Sequence, residues 1–203
     1  MPSDSDSSSN PVTLLRGKQN IELAEHEEIP PGQLRMIITY LEMFKLPKFP
    51  HQSKRAENIS IIRSQKPTVR FYRFLYQSVG EEWLWYERNQ MADAQLESII
   101  QHKKVQVFVL YINGTPAGFS ELDSRQKDEI ELAYFGLMPE FIGRGLGSYF
   151  LQWTIEKAWV EEPKRLWVHS CNFDSPHAIA IYQKAGFTPY KREAILIDDP
   201  RLH

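Results

Sequence analysis

The stretch PEFIGRGLGSYF, Pro139–Phe150, places three glycines at alternate positions directly before a predicted helix. That helix should run from about Gly145 to Trp159, and its apolar residues cover most of its circumference, which predicts deep packing. A predicted buried strand, residues 129–137, precedes the loop. A helix N-terminus offers unpaired N–H groups and a partial positive charge, and glycine lets a ligand approach the backbone closely. The segment therefore predicts a phosphate-binding loop for a nucleotide-like ligand.

Spacing separates this loop from two other phosphate-binding motifs. A Walker loop needs Gly-Lys-Ser/Thr, whereas Gly147 is followed by Ser148 and Tyr149. The dinucleotide fingerprint needs a glycine where Ser148 or Phe150 stands, and it follows the first strand of a βαβ unit rather than a strand meander. Glycines that only turn a corner remain the alternative at this point.

Composition limits the classes of protein and of partner. The chain has 203 residues, of which 42% are hydrophobic and 25% charged, as in ordinary soluble globular proteins. A net charge of −2 gives no general electrostatic reason to expect nucleic acid or an anionic membrane as a partner. The single cysteine, Cys171, excludes an internal disulfide and any two-cysteine metal pattern. We expect a cytoplasmic protein with no metal, no nucleic acid and no membrane partner.

The chain divides into three predicted segments. Residues 1–12 are rich in Ser and Asp and should form a disordered tail. Residues 13–58 should be an N-terminal extension with an added strand, and residues 59–203 should form the main domain. The main domain reads strand, two helices, three strands, helix, strand, helix, strand, which predicts an α/β (α+β) fold. Ser175 is the predicted N-cap of the last helix.

Two sequence motifs carry a family resemblance. LMPEFIGRGLGSYFLQW, residues 137–153, resembles the acyl-CoA-binding segment of the GNAT superfamily of N-acyltransferases, Gln/Arg-x-x-Gly-x-Gly/Ala. Ile142 stands where that family usually has Gln or Arg. NFDSPHAIAIYQKAGF, residues 172–187, resembles the second signature of the superfamily. The resemblance covers roughly residues 59–197.

This resemblance implies a fold, a substrate and its contacts. The implied fold is a GNAT-like mixed, mostly antiparallel central sheet with helices on both faces. The implied co-substrate is acetyl-CoA, with no metal. The residues that match the CoA-binding positions are Phe135, Leu137, Ile142, Gly143, Arg144, Gly145, Gly147, Ser148 and Asn172.

The resemblance also implies direct transfer of an acetyl group to a primary amine in a ternary complex. An amine with a pKa of about 10.4 must lose a proton before it attacks a thioester. Glu131 resembles the base glutamate of the histone-acetylating branch, and Tyr182 resembles the general acid. His169 is an alternative base or a substrate contact.

The acceptor prediction depends on the segment between the first two helices of the main domain. This connector carries Glu82, Trp83 and Trp85, and acids beside aromatics suit a cation. We expect these residues and His169 to contact a small-molecule amine, a protein lysine or an N-terminal amine, and a homodimer is left open. One alternative is a non-catalytic acyl-CoA-binding or sensing module. Another is an interaction domain whose loop binds nothing.

Overall fold

The computed structural model describes residues 28–50 and 58–202. Seven strands form one sheet: β1 Gln33–Met43, β2 Ile59–Ser64, β3 Val105–Ile112, β4 Thr115–Asp123, β5 Glu129–Leu137, β6 Arg165–Cys171 and β7 Thr188–Asp198. The strand order is β2-β3-β4-β5-β6-β1-β7. In the described residues β5 and β6 pair in parallel, and the other neighbouring strands pair antiparallel. The predicted mixed, mostly antiparallel sheet is confirmed. The predicted tail, residues 1–12, lies outside the described residues.

Helices cover both faces of the sheet, as predicted. They are α1 Val69–Gly80, α2 Glu87–Gln90, α3 Asp93–Ile100, α4 Leu146–Trp159 and α5 Ala178–Lys184. α1 and α3 pack on one face, where Leu75 and Leu96 meet Val107. α4 packs on the other face, where Leu151 meets Phe108. None of the described helices is both long enough and apolar enough to cross a membrane.

The start of α5 differs from the prediction. The N-cap position is His177, not Ser175. The Ser175 hydroxyl oxygen accepts a hydrogen bond from the His177 N–H at 3.4 Å, and the Ser175 carbonyl accepts one from the Ala178 N–H at 2.9 Å. Ser175 is therefore used in a turn that precedes the helix, and α5 begins two residues later than predicted.

Strand β1 comes from the predicted N-terminal extension but lies inside the sheet. It pairs antiparallel with β6 on one side and with β7 on the other, so that Tyr40 lies between His169 and Lys191. Because side chains alternate along a strand, Met36, Ile38 and Tyr40 share the face that α1 and α3 also occupy. The sheet thus contains strands from both sides of the boundary predicted at residues 58 and 59.

The pairing of β5 with β6 is short. It covers Glu129–Glu131 on β5 and Arg165–Trp167 on β6, and the two strands separate beyond these residues. On its other edge β5 pairs with β4, with a β-bulge at Ala133. The separation leaves the main chain of β5 after Glu131 with β4 on one side and a cavity on the other.

Candidate active site

A cavity of about 730 Å³ lies where β5 and β6 separate. This size suits a small organic ligand. Its walls include twelve of the fifteen predicted site residues: Trp83, Trp85, Glu131, Phe135, Leu137, Ile142, Gly143, Gly145, Gly147, Ser148, His169 and Tyr182. Three predicted residues, Glu82, Arg144 and Asn172, are not in its walls.

The glycine loop, residues 143–147, forms one end of the cavity. Gly143 and Gly145 have φ angles of 80° and 71°, a left-handed conformation that residues with a Cβ rarely adopt. Gly145 is the N-cap of α4, and among the described residues no side chain caps this helix. Ile142 is 51% exposed beside the loop. The start of α4 therefore presents main-chain groups, rather than a capping side chain, to this end of the cavity.

The two predicted CoA-binding residues outside the cavity walls have other contacts. The Arg144 guanidinium lies 5.3 Å from the centre of the Phe141 ring. The Asn172 side chain accepts a hydrogen bond from the Ile37 N–H at 2.7 Å and donates one to the Arg35 carbonyl at 3.2 Å. Asn172 thus extends the pairing of β6 along β1.

Glu131 and His169 face each other across β5 and β6. Glu131 is 9% exposed, and its Oε1 lies 3.3 Å from Nδ1 of His169. The His169 side chain is 41% exposed toward the cavity. Burial lowers the pKa of His169, but the hydrogen bond and charge of Glu131, with the charges of Glu87 and Asp174, outweigh this and raise it above its ordinary value. The arrangement can accept and hold a proton.

Tyr182 occupies the opposite wall, on α5. It is 7% exposed, and its ring packs edge-on against Phe135 and Phe187, at centroid distances of 6.4 and 5.9 Å. Burial, and then the charge of Asp174, raise the pKa of Tyr182 above its ordinary value. The hydroxyl therefore remains protonated at neutral pH and can serve as a proton donor.

Asp174 is a cavity residue that the sequence analysis missed. Its Oδ1 accepts a hydrogen bond from Trp85 Nε1 at 3.0 Å. Its Oδ2 accepts from the Ser170 hydroxyl and from the Cys171 N–H, both at 2.8 Å. An Asp between a strand and a helix is common as a turn residue, so its position carried no specific signal.

A buried ion pair, also missed, anchors α2 beneath the cavity. Arg88 donates to Glu121 at 2.7 Å, and the Tyr72 hydroxyl donates to the other oxygen of Glu121 at 2.5 Å. The Arg88 guanidinium also lies 5.1 Å from the centre of the Tyr134 ring. The one available signal was an acid, Glu121, inside the second of the three consecutive predicted strands.

The cavity carries an excess of negative charge. Its acidic residues are Glu87, Asp123, Glu131 and Asp174. Its two arginines are already paired, Arg88 with Glu121 and Arg125 with Asp123. In the part of the chain that the structure describes, no Lys or Arg pairs with Glu87 or Asp174. The same part contains no group of three or more His, Cys, Asp or Glu side chains that could hold a metal ion.

Comparison with known proteins identifies a related family. The sequence profile of the acetyltransferase (GNAT) family matches residues 59–187. No match is found among curated proteins.

Solved structures share the fold. A functionally unknown conserved protein from Staphylococcus epidermidis is 18% identical with a TM-score of 0.56, over 86% of this chain and 69% of that one. The ribosomal-protein-S18-alanine N-acetyltransferase from Escherichia coli is 18% identical with a TM-score of 0.54, over 69% of this chain and 93% of that one. An IAA acetyltransferase from Bacillus cereus is 16% identical with a TM-score of 0.52, over 70% of this chain and 100% of that one. At these identities the likeness concerns the fold alone.

Proposed function

The chain belongs to the acetyltransferase (GNAT) family, and on that premise we propose that it moves an acetyl group from acetyl-CoA to a primary amine by direct transfer in a ternary complex. One observation carries the proposal. The separated strands β5 and β6 enclose a single cavity whose walls include the glycine loop, the Glu131–His169 pair and Tyr182. The residues predicted to bind the donor and those predicted to move protons therefore line the same cavity.

Acetyl-CoA would bind along β5 and the glycine loop. The main chain at Phe135 and Leu137 borders the cavity and would pair with the pantetheine arm as an added strand would. The main-chain N–H groups from Gly143 to Ser148 would hold the diphosphate at the start of α4. Arg144, in the same loop, would add positive charge. Asn172 would support this end of the site indirectly, because it fixes β1 beside β6.

The Glu131–His169 pair would take the proton from the amine. The exposed imidazole of His169 reaches the cavity, and Glu131 holds its Nδ1. Glu131 would act in one of two ways. It would take the proton itself through a water, or it would act through His169, whose ring its Oε1 would orient. The neutral amine nitrogen then attacks the thioester carbonyl carbon.

Tyr182 would complete the transfer. As the tetrahedral adduct collapses, the bond between carbon and sulfur breaks and the electron pair goes to sulfur. The Tyr182 hydroxyl donates its proton to this thiolate and regains one from the nitrogen, which loses its second proton as it becomes the amide. The first proton, taken from the amine before attack, leaves through His169 or Glu131. The products are an amide and free CoA.

The excess negative charge favours an amine as acceptor. Glu87 and Asp174 lie in the cavity wall without a cationic partner among the described residues, and Trp83 and Trp85 add aromatic faces beside them. Glu82, which lies outside the wall, would attract the cation from the rim. The acceptor would be a small-molecule amine, a lysine side chain or an N-terminal amine.

A calorimetric titration followed by an amine assay tests the proposal. Acetyl-CoA should bind saturably, whereas NADH and ATP should not bind at the same site. A panel of amines should then release CoA thiol and yield the acetylated amine. Binding without transfer to any amine would instead favour the non-catalytic acyl-CoA-binding or sensing module. Absence of binding would contradict both functions.

A further inference from the structure

The wall of the cavity beyond Glu131 and His169 is apolar and comes from strand β1. Met36, Ile38 and Tyr40 line it from alternate positions on one face of the strand. They belong to a hydrophobic cluster that Tyr86 of the connector joins. The Tyr40 ring centre lies 5.8 Å from that of His169. The apolar wall therefore begins directly beside the proposed proton acceptor.

Tyr40 presents its ring rather than its hydroxyl to this region. Its hydroxyl donates to Glu193 on β7 at 2.5 Å, away from β6. Burial and this hydrogen bond raise the pKa of Tyr40 above its ordinary value, so the side chain stays neutral. The wall thus offers a neutral aromatic and aliphatic surface to a bound molecule.

Most main-chain N–H and C=O groups of β1 are already hydrogen-bonded within the sheet and are not available to a ligand. β7 pairs with Gln33–Glu42 on one side, and β6 pairs with Ile38–Met43 on the other. On the β6 side, the Asn172 side chain hydrogen-bonds to the Ile37 N–H and to the Arg35 carbonyl. A peptide laid along this wall would find its backbone groups without partners, which is costly when they leave water. The wall suits an acceptor that has few polar groups beyond the amine.

We propose that the acceptor is a small primary amine carried on an alkyl or arylalkyl group, and that β1 sets this preference. The inference rests on the proposed function, because it concerns the acceptor of that same reaction. The ammonium group is drawn by Glu87, Glu131 and Asp174, and the apolar group packs on β1. The preference is a property of this chain's own β1, since residues 33–43 lie outside the segment that matches the family profile.

A substrate series tests this directly. The 203-residue chain is assayed with acetyl-CoA and the straight-chain amines from ethylamine to hexylamine, with phenethylamine, and with ethanolamine, putrescine and a lysine-containing peptide. We expect kcat/KM to rise about fourfold for each added methylene group. Phenethylamine should exceed ethylamine, and the polar amines and the peptide should be the poorest acceptors.

Two variants and a matched control locate the preference on β1. Ile38→Thr should lower kcat/KM for hexylamine about five- to tenfold while leaving ethylamine nearly unchanged. Met36→Gln, in which the two side chains are similar in shape, should also lower kcat/KM for hexylamine. It replaces Ile38→Thr in the test if that variant does not fold. Ile37→Thr places the same substitution on the opposite face of the strand and should leave the chain-length dependence intact.

The outcomes separate this inference from the function on which it rests. Transfer to amines without a rise along the series, or best transfer to the peptide, would overturn the inference and leave the N-acetyltransferase proposal standing. A rise along the series that neither β1 variant reduces would overturn the role of β1. Binding of acetyl-CoA with no transfer to any amine would overturn both.

Discussion

Trp85 Nε1 donates a hydrogen bond to Asp174 Oδ1 at 3.0 Å, which joins the connector between α1 and α3 to the turn between β6 and α5. The two segments belong to opposite sides of the cleft between β5 and β6. The Trp85 ring is held in place by T-shaped packing on Tyr134 and Phe119. This bond therefore fixes the connector over the cavity, with Trp83, Trp85 and Glu87 in the cavity wall.

Trp85→Phe should weaken acceptor binding while acetyl-CoA affinity stays the same. The substitution keeps an aromatic ring and removes the donor to Asp174, so it should cost about 1–2 kcal/mol. The KM for the amine should rise about 5- to 30-fold. Steady-state kinetics and calorimetry measure the two effects.

Trp159→Phe is the matched control. The indole nitrogen of Trp159 is buried and has no hydrogen-bond partner in the described part of the chain, so no such bond is lost. An amine KM that rises equally in both variants would contradict the role of the bond between Trp85 and Asp174.

Glu131→Gln should lower the pKa of His169. The hydrogen bond to the Glu131 carboxylate, and then its charge, contribute most to raising this pKa. The substitution weakens the first and removes the second, whereas burial, which lowers the pKa, remains. The acid limb of kcat/KM should move to lower pH if His169 carries the proton. NMR titration of the imidazole measures the pKa directly. Glu129→Gln, two residues away and paired with Arg165, should leave it unchanged.

The same pair predicts how stability depends on pH. The pKa of His169 is raised in the folded chain, so the contribution of the pair is fully present below the unfolded pKa of about 6.5. It is lost as the pH rises through the folded pKa. The difference in unfolding free energy between the natural chain and His169→Gln should therefore shrink from pH 6 to pH 9 in urea titrations. A difference that grows with pH would contradict this assignment.

Tyr182→Phe should lower kcat about 10²- to 10⁴-fold with little change in the Kd for acetyl-CoA. The raised pKa of Tyr182 keeps its hydroxyl protonated, so the natural protein should show no loss of activity from this group up to pH 10. Tyr111→Phe, on β3 and outside the cavity wall, is the control. An unchanged kcat in Tyr182→Phe would remove this residue from the role of acid.

The sequence predicted most elements of this fold because their signals are local. Glu129–Leu137 is a largely apolar run next to turn residues, and it is a strand with the predicted bounds. The position of β1 could not be predicted in this way, since strand order depends on contacts between residues such as Tyr40 and His169 that are far apart in the chain. Asp174 escaped notice for the same reason, because its partner Trp85 is 89 residues away.

Arg88→Met should destabilise the protein by about 3–5 kcal/mol, because it leaves the fully buried carboxylate of Glu121 without its cation. Arg73→Met breaks a pair whose acid, Asp93, is 76% exposed, and removes a hydrogen bond to the Met91 carbonyl at 2.6 Å, so it should cost only about 1–2 kcal/mol. Urea unfolding of both variants gives the comparison. Equal losses would show that burial of the pair with Glu121 has no energetic effect.

Gly143→Ala and Gly114→Ala separate backbone strain from ligand binding. The two glycines have φ angles of 80° and 83°, and an added Cβ would meet nothing within 4 Å at either position. Each variant should therefore lose a similar amount of stability, about 1–2 kcal/mol, from the left-handed conformation alone. Gly143 lies in the cavity wall, whereas Gly114 lies in the turn between β3 and β4. Calorimetry should show weaker acetyl-CoA binding in Gly143→Ala only, and equal affinity in both variants would contradict a diphosphate site at this loop.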